Sequence, residues 1–169
     1  RVLFRSSKIQ FQEKSFYVYG SLPEIGSPAP KFSLTKTDMT VTALNDFKNE
    51  SLIINVYPSI DTQVCFSSVQ KFEKECSKSG VNVLCVSMDL PFALKRVQTG
   101  EKLENVMLLS DFRNRDFGEL YGLTIAEGPL AGLLARAVIL LDKEHNVIYH
   151  ELVHDITSAP NYEEILKKI

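Results

Sequence analysis

Cys65 is the residue of this sequence that is best placed for thiol chemistry. It follows an apolar run, residues 52–57, which predicts a buried strand, and a loop beginning at Pro58 separates the two. If Thr62 caps the helix that comes next, Cys65 occupies the third helical position, where backbone N–H groups have no partner within the helix. Those N–H groups and the positive end of the helix dipole favour the thiolate over the thiol, and the thiolate is the reactive form. A buried core cysteine is the ordinary alternative for a lone thiol, and position by itself favours the two equally.

The elements that must hold Cys65 in place alternate between buried strands and amphipathic helices. After Pro58 the apolar residues recur at helical spacing, which predicts a helix over residues 62–78 that Gly80 ends. Further strands are expected over residues 32–34, 40–42, 81–88 and 106–109, further helices over 91–97, 115–121 and 161–169, and a β-hairpin over 135–141 and 146–153. This order predicts an α/β fold in which a mixed sheet carries helices on both faces.

The N-terminal part of the chain predicts a separate small β-hairpin. Alternating apolar residues mark its two strands, 8–12 and 15–19, on either side of Glu13 and Lys14. This pair lacks the Asn-Gly chemistry that favours the tightest hairpin turns.

Composition bounds the class of protein. The 169 residues are 44% hydrophobic and 24% charged, which is typical of one globular domain. No apolar run approaches the ~18 residues of a membrane span. The 19 basic and 21 acidic residues include no basic block, so neither a membrane nor a nucleic acid is an expected partner. Three cysteines, an odd and low number, argue against a disulfide framework and for a reducing compartment.

Residues 1–6 stand apart from this pattern. They have no apolar core or cleavage site of a signal peptide, and they match the read-through translation of a common sequencing-library adapter. We therefore expect a non-native leader over residues 1–6 and a single domain over residues 7–169.

The residues around Cys65 also carry a family signature. Pro58, Thr62 and Cys65 fit the pattern P-x-x-x-T-x-x-C of the peroxiredoxins. Three further segments, in the right order, resemble one branch of that family, the bacterial thiol peroxidases: MDLPFA at 88–93, LSDFR at 109–113 and LLARAV at 133–138. The resemblance extends from about residue 9 to the C-terminus. It implies a thioredoxin-like fold with an N-terminal hairpin, a homodimer, and a place in the bacterial cytoplasm.

The resemblance also implies an activity and a set of roles. Cys65 would reduce hydrogen peroxide and organic hydroperoxides by forming a sulfenic acid, which thioredoxin or another thiol recycles. The Thr62 hydroxyl would bond the thiolate and the peroxide, Arg136 would supply a fixed positive charge, and Pro58 would shield the sulfur from water. Thr62 could instead be an ordinary helix cap. Arg136 could instead form a surface ion pair, although its aliphatic neighbours in sequence call for a buried partner.

One position departs from the family pattern. Typical members carry a second, resolving cysteine where this chain has Gln98, and an amide forms no disulfide. Three explanations stay open: an external thiol resolves Cys65, Cys85 or Cys76 takes over, or Gln98 is an engineered or erroneous change. Cys85 lies in a buried strand, where a structural role is more common. Cys76 is about 16 Å from Cys65 by helical rise, so the two could pair only if the helix unwound.

Other chemistry has weaker support. His150 and His154 would lie about 13 Å apart on an extended strand and could not share a metal. The sequence contains no Cys-x-x-Cys and no glycine-rich phosphate loop, and Asp61 and Asp89 stand too isolated for paired-carboxylate work. No metal and no cofactor are therefore expected. The alternatives to a peroxidase are a redox sensor or relay that oxidises Cys65 without efficient turnover, and a structural binding module.

Overall fold

Alternating strands and helices fold into a layered α/β structure, seen in a computed structural model that describes residues 7–169. The expected leader, residues 1–6, lies outside the described residues. The strands are β1 (Lys8–Phe11), β2 (Lys14–Tyr17), β3 (Ser33–Lys36), β4 (Val41–Ala43), β5 (Leu52–Val56), β6 (Asn82–Ser87), β7 (Val106–Ser110), β8 (Ala137–Leu141) and β9 (Val147–Leu152). The helices are α1 (Gln63–Cys76), α2 (Pro91–Gly100), α3 (Asp116–Leu120) and α4 (Tyr162–Leu166), with a 3₁₀ turn at Leu44–Phe47.

The main sheet is mixed, as the sequence predicts. Its seven strands run in the order β4-β3-β7-β6-β5-β8-β9. The three central strands β5, β6 and β7 are parallel, whereas β8 and β3 flank them in the antiparallel direction. Because carboxyl ends of parallel strands meet at one edge, the loops that follow β5, β6 and β7 come together there.

Helices cover both faces of this sheet, which confirms the predicted layers. Every residue of β5 is buried, and its side chains alternate between two hydrophobic clusters. On one face α1 buries the predicted stripe of Cys65, Val69, Phe72 and Cys76, next to Leu94 of α2 and Ile165 of α4. The opposite face packs against α3, the 3₁₀ turn and the N-terminal hairpin. Within residues 7–169, no helix is long and apolar enough to cross a bilayer.

The N-terminal hairpin forms, but its turn differs from the predicted one by one residue. Phe11 pairs with Lys14, so the turn residues are Gln12 and Glu13 rather than Glu13 and Lys14. Both turn residues have positive φ, 50° and 63°, a geometry that matches the twist of the flanking strands. The register buries Ile9 against the sheet, and this burial outweighs the poor turn propensity of Gln and Glu.

Candidate active site

Cys65 lies in the first turn of α1, at the position that the sequence predicts. Thr62 is the N-cap residue, with an extended backbone (φ −96°, ψ 143°), which makes Cys65 the third helical residue. The Cys65 side chain is buried. In the part of the chain that the structure describes, the Thr62 side chain makes no capping bond to α1; its hydroxyl instead donates to the Ser59 carbonyl at 3.2 Å. The hydroxyl oxygen can still accept a hydrogen bond from a substrate.

Arg136 reaches the sulfur of Cys65 from the residue before β8. Its Nη2 lies 3.2 Å from Cys65 Sγ, and its Nε and Nη2 both donate to the Ile156 carbonyl at 3.0 Å. The side chain is only 2% exposed, so the alternative of a surface ion pair is wrong. The guanidinium thus places a charged hydrogen-bond donor directly at the sulfur of Cys65.

One nitrogen of this guanidinium has no protein partner. Arg136 Nη1 is buried and makes no hydrogen bond within residues 7–169. An unsatisfied buried donor is costly, and more so on a charged group. Arg136 and Cys65 both line one cavity, of about 220 Å³, so a small molecule bound there would lie beside both the guanidinium and the sulfur.

The walls of that cavity are mostly apolar. The chain contributes Phe11, Pro58, Val64, Leu130, Leu133 and Ile156. Phe11 comes from the N-terminal hairpin, which is bound to the segment containing Ile156: Gln10 N donates to the His154 carbonyl at 2.7 Å, and Ile156 N donates to the Gln10 carbonyl at 3.0 Å. Pro58 is buried at the start of the loop that leads to Cys65. The hairpin therefore helps to shape the site and to position the carbonyl that holds Arg136.

The other two cysteines lie in different surroundings. All three are free, but burial in β6 raises the pKa of Cys85 to about 12, and burial raises the pKa of Cys76 as well. A raised pKa reduces the thiolate fraction at neutral pH, so both thiols are less reactive than an ordinary cysteine thiol. Gln98 lies on α2, where its Oε1 accepts a hydrogen bond from Thr37 Oγ1 at 3.0 Å.

Two contributors to the site were missed by sequence reasoning. The first is the Ile156 carbonyl, which no sequence signal could reveal because every residue has a carbonyl. The second is Asp89, whose carboxylate accepts hydrogen bonds from Ser59 Oγ and Ile60 N in the loop before Cys65. Its place just after β6, at the edge where β5 also ends, is a signal that could have identified it. Within residues 7–169, no group of three or more His, Cys, Asp or Glu residues could hold a metal ion.

Comparison with known proteins agrees with this geometry. The family model described as Redoxin matches residues 24–166. The chain belongs to the Redoxin family. It is 48% identical over 160 residues to the thiol peroxidases of Mycobacterium tuberculosis and Mycobacterium bovis, a match that covers 95% of this chain and 96% of theirs.

Solved structures give the same result. A peroxiredoxin-like protein from Aquifex aeolicus is 38% identical, with a TM-score of 0.90 over 98% of this chain and 97% of that one. The thiol peroxidase from Chromobacterium violaceum is 27% identical, with a TM-score of 0.87 over 95% of this chain and 94% of that one. The predicted resemblance to the thiol peroxidases and the predicted thioredoxin-like fold of this Redoxin-family chain are confirmed.

Proposed function

We propose that this chain reduces hydrogen peroxide and organic hydroperoxides through a sulfenic acid on Cys65. The observation that carries the proposal is the 3.2 Å contact between Arg136 Nη2 and Cys65 Sγ beside an accessible cavity. Thiol-dependent peroxide reduction is also the activity that the thiol peroxidase relatives support.

The residues of the site have separate roles in this reaction. The Cys65 thiolate attacks the terminal peroxide oxygen, the O–O bond breaks, and the sulfur becomes a sulfenic acid. The departing oxygen takes up a proton and leaves as water or an alcohol. Arg136 Nη1, which has no protein partner within residues 7–169, donates to the peroxide oxygens as charge develops on them. Thr62 accepts the O–H of the peroxide, which aligns the O–O bond with the sulfur, and Pro58 excludes water.

The apolar cavity supports organic hydroperoxides as substrates. Hydrogen peroxide needs only the polar end of the cavity, at Arg136 and Cys65. The apolar walls, which include Phe11 and Leu133, can bury the hydrocarbon part of a larger peroxide. The same site therefore accommodates both kinds of substrate.

Recycling of Cys65 calls for a second thiol. In the reduction that we propose, a thiol attacks the sulfenic acid and releases water, and a second thiol then breaks the mixed disulfide to restore Cys65. Cys85 and Cys76 are poor resolving thiols because burial raises their pKa values. Thioredoxin or another external thiol therefore supplies both reducing equivalents.

Turnover distinguishes an enzyme from a relay. With thioredoxin together with its reductase, or with another thiol in excess, we expect many equivalents of peroxide to be consumed per chain. A redox sensor or relay would consume only about one equivalent of peroxide per chain, because its oxidised Cys65 is not efficiently reduced for a second cycle. Intact-mass analysis after one equivalent, without reductant, should show the gain of one oxygen. A loss of two hydrogens would mean that Cys76 or Cys85 forms a disulfide with Cys65, and would contradict resolution by an external thiol.

A cysteine introduced at Gln98 tests the proposal that Cys65 depends on an external thiol. Gln98→Cys should add an internal disulfide with Cys65, provided that α2 partly unwinds to bring the two sulfurs together. This variant should turn over faster with thioredoxin than the unmodified protein and resist inactivation by excess peroxide, because its sulfenic acid is removed before further oxidation. Lys143→Cys, in the turn between β8 and β9, adds a thiol at the other end of the sheet and should change neither property.

We propose a homodimer as the working form, on the basis of the family resemblance. Two exposed apolar side chains support it, Leu90 at 53% and Phe92 at 69% exposure, both at the start of α2. Sedimentation at micromolar concentration should show a particle of two 19.1 kDa chains. Phe92→Asp should dissociate it, whereas Ile148→Asp, at an exposed apolar residue of β9, should leave it intact. Sedimentation of the unmodified protein as a single chain would contradict the dimer.

We further propose that residues 7–169 act as one domain, that residues 1–6 are a non-native leader, and that the protein works in a bacterial cytoplasm. The family match to residues 24–166 supports the first statement. The three free cysteines and the bacterial relatives support the last.

A further inference from the structure

We propose that Asp89 is a positioning residue for the peroxide step: its carboxylate fixes the loop between β5 and α1, and with it the hydroxyl of Thr62. This inference rests on the proposed function of Cys65. Asp89 lies between β6 and α2 and is half-buried; it does not itself line the cavity beside Cys65, but it bonds Ser59, which does.

The carboxylate of Asp89 binds the loop directly. Its Oδ1 accepts a hydrogen bond from Ser59 Oγ at 2.8 Å, and its Oδ2 accepts one from Ile60 N at 2.7 Å. Both contacted residues lie between Pro58, where the loop begins, and Thr62, the N-cap residue of α1. A single carboxylate therefore fixes two consecutive residues of the loop.

Ser59 passes this constraint on to Thr62. The Ser59 carbonyl accepts hydrogen bonds from Thr62 N and from Thr62 Oγ1, both at 3.2 Å. The Ser59 hydroxyl, which donates to Asp89, also accepts from Asp61 N at 3.2 Å. The direction of the Thr62 hydroxyl thus depends on the placement of Ser59, which Asp89 holds.

Asp89 itself is held rigidly by the sheet. Its Oδ2 accepts from Ser87 Oγ at 2.7 Å, and its carbonyl accepts from Ser110 Oγ at 2.5 Å. Ser87 is the last residue of β6 and Ser110 the last residue of β7. Asp89 therefore transmits the geometry of two neighbouring strands to the loop, as an anchor for a site on a loop must do.

The test compares two reactions of the same thiol in the full chain. Asp89→Asn removes the negative charge and one acceptor oxygen; the new NH₂ group can donate to a serine hydroxyl but cannot accept from Ile60 N, so the loop is held by fewer and weaker acceptors. We expect oxidation of Cys65 by hydrogen peroxide, followed by stopped flow, to slow ~10-fold or more, since small misplacements of reacting groups are costly. Alkylation of Cys65 by iodoacetamide needs the thiolate but not the alignment of a peroxide, so its rate should stay within about twofold.

Glu73→Gln is the matched control. The Glu73 carboxylate binds three consecutive backbone N–H groups, those of Glu104, Asn105 and Val106, at the opposite edge of the sheet. Its loss should lower the melting temperature without changing either rate. If the peroxide and alkylation rates of Asp89→Asn fall together, the residue supports the fold in general and the proposal is wrong.

Ser59→Ala provides a second, smaller change in case Asp89→Asn does not fold. It should slow the peroxide step in the same selective way, and the double variant should be slowed no further than the slower single variant, because both changes interrupt one path. Wild-type peroxide rates in Asp89→Asn, or in Ser59→Ala, would overturn the role of Asp89. Failure of the unmodified protein to react with peroxide at Cys65 would instead overturn the proposed function.

Discussion

Cys65→Ser is expected to abolish peroxide reduction. A serine hydroxyl has nearly the same shape as the thiol, but it forms no anion at neutral pH and cannot be oxidised to a sulfenic acid. Its contact with Arg136 is then that of a neutral hydroxyl with a guanidinium, so the fold should persist while the chemistry is lost. Stopped-flow measurement of the first oxidation step, with intact-mass detection of the added oxygen, would show the effect.

The two remaining cysteines provide the controls. Cys76→Ser and Cys85→Ser should keep the first oxidation step at the parent rate, because burial raises the pKa of both thiols and no cationic side chain among residues 7–169 bonds either sulfur. Cys85→Ser places a hydroxyl near Asn55, whose Nδ2 lies 3.8 Å from the Cys85 sulfur, so a polar partner is available there. Full first-step reactivity in Cys65→Ser would refute the assignment of the reactive thiol.

Much of the fold could be predicted because its signals are local. The apolar run of β5 and the helical stripe from Cys65 to Cys76 each depend on neighbours in sequence, and both form as predicted. The third helical position of Cys65 follows from Thr62 as N-cap, which is also local. The bounds of the elements differ by a few residues: the closing helix, predicted over 161–169, spans Tyr162–Leu166. Its predicted cap, Asn161, is observed, with its side chain accepting from Glu164 N.

The part of the site that sequence did not predict depends on contacts between distant segments. The need of Arg136 for a buried partner was evident from its aliphatic neighbours, but the partner is the Ile156 carbonyl, twenty residues away. The predicted turn of the hairpin differs from the observed turn by one residue, because tertiary burial of Ile9, rather than turn chemistry, decides the register. Asp89 looked isolated because the fold, and not the sequence, brings the ends of β5 and β6 together.

Arg136→Ala is expected to slow the peroxide step ~10²-fold or more, the loss found when comparable transition-state donors are removed. Two effects combine. The sulfur of Cys65 loses the hydrogen bond from Nη2, and the peroxide loses a charged donor side chain that lines the cavity. The measurement is the rate constant of Cys65 oxidation over a range of pH. Arg113→Ala removes the same charge from an exposed side chain and should leave that rate unchanged.

Arg136→Lys separates charge from geometry. Lysine keeps the positive charge near the sulfur and the peroxide, but its ammonium group cannot donate to the Ile156 carbonyl, the sulfur and the peroxide in the planar arrangement of a guanidinium. Its peroxide rate should therefore lie between those of the Ala variant and the parent.

Arg136→Ala also leaves the Ile156 carbonyl without its donor and should lower the free energy of unfolding by ~1–3 kcal/mol. Both variants lose the planar donor to the Ile156 carbonyl. If the fall in the peroxide rate only reflected lost stability, the Ala and Lys variants would therefore react with peroxide at similar rates. An Ala variant that reacts with peroxide at the parent rate would show that the contact at Cys65 is structural and that the substrate is held elsewhere.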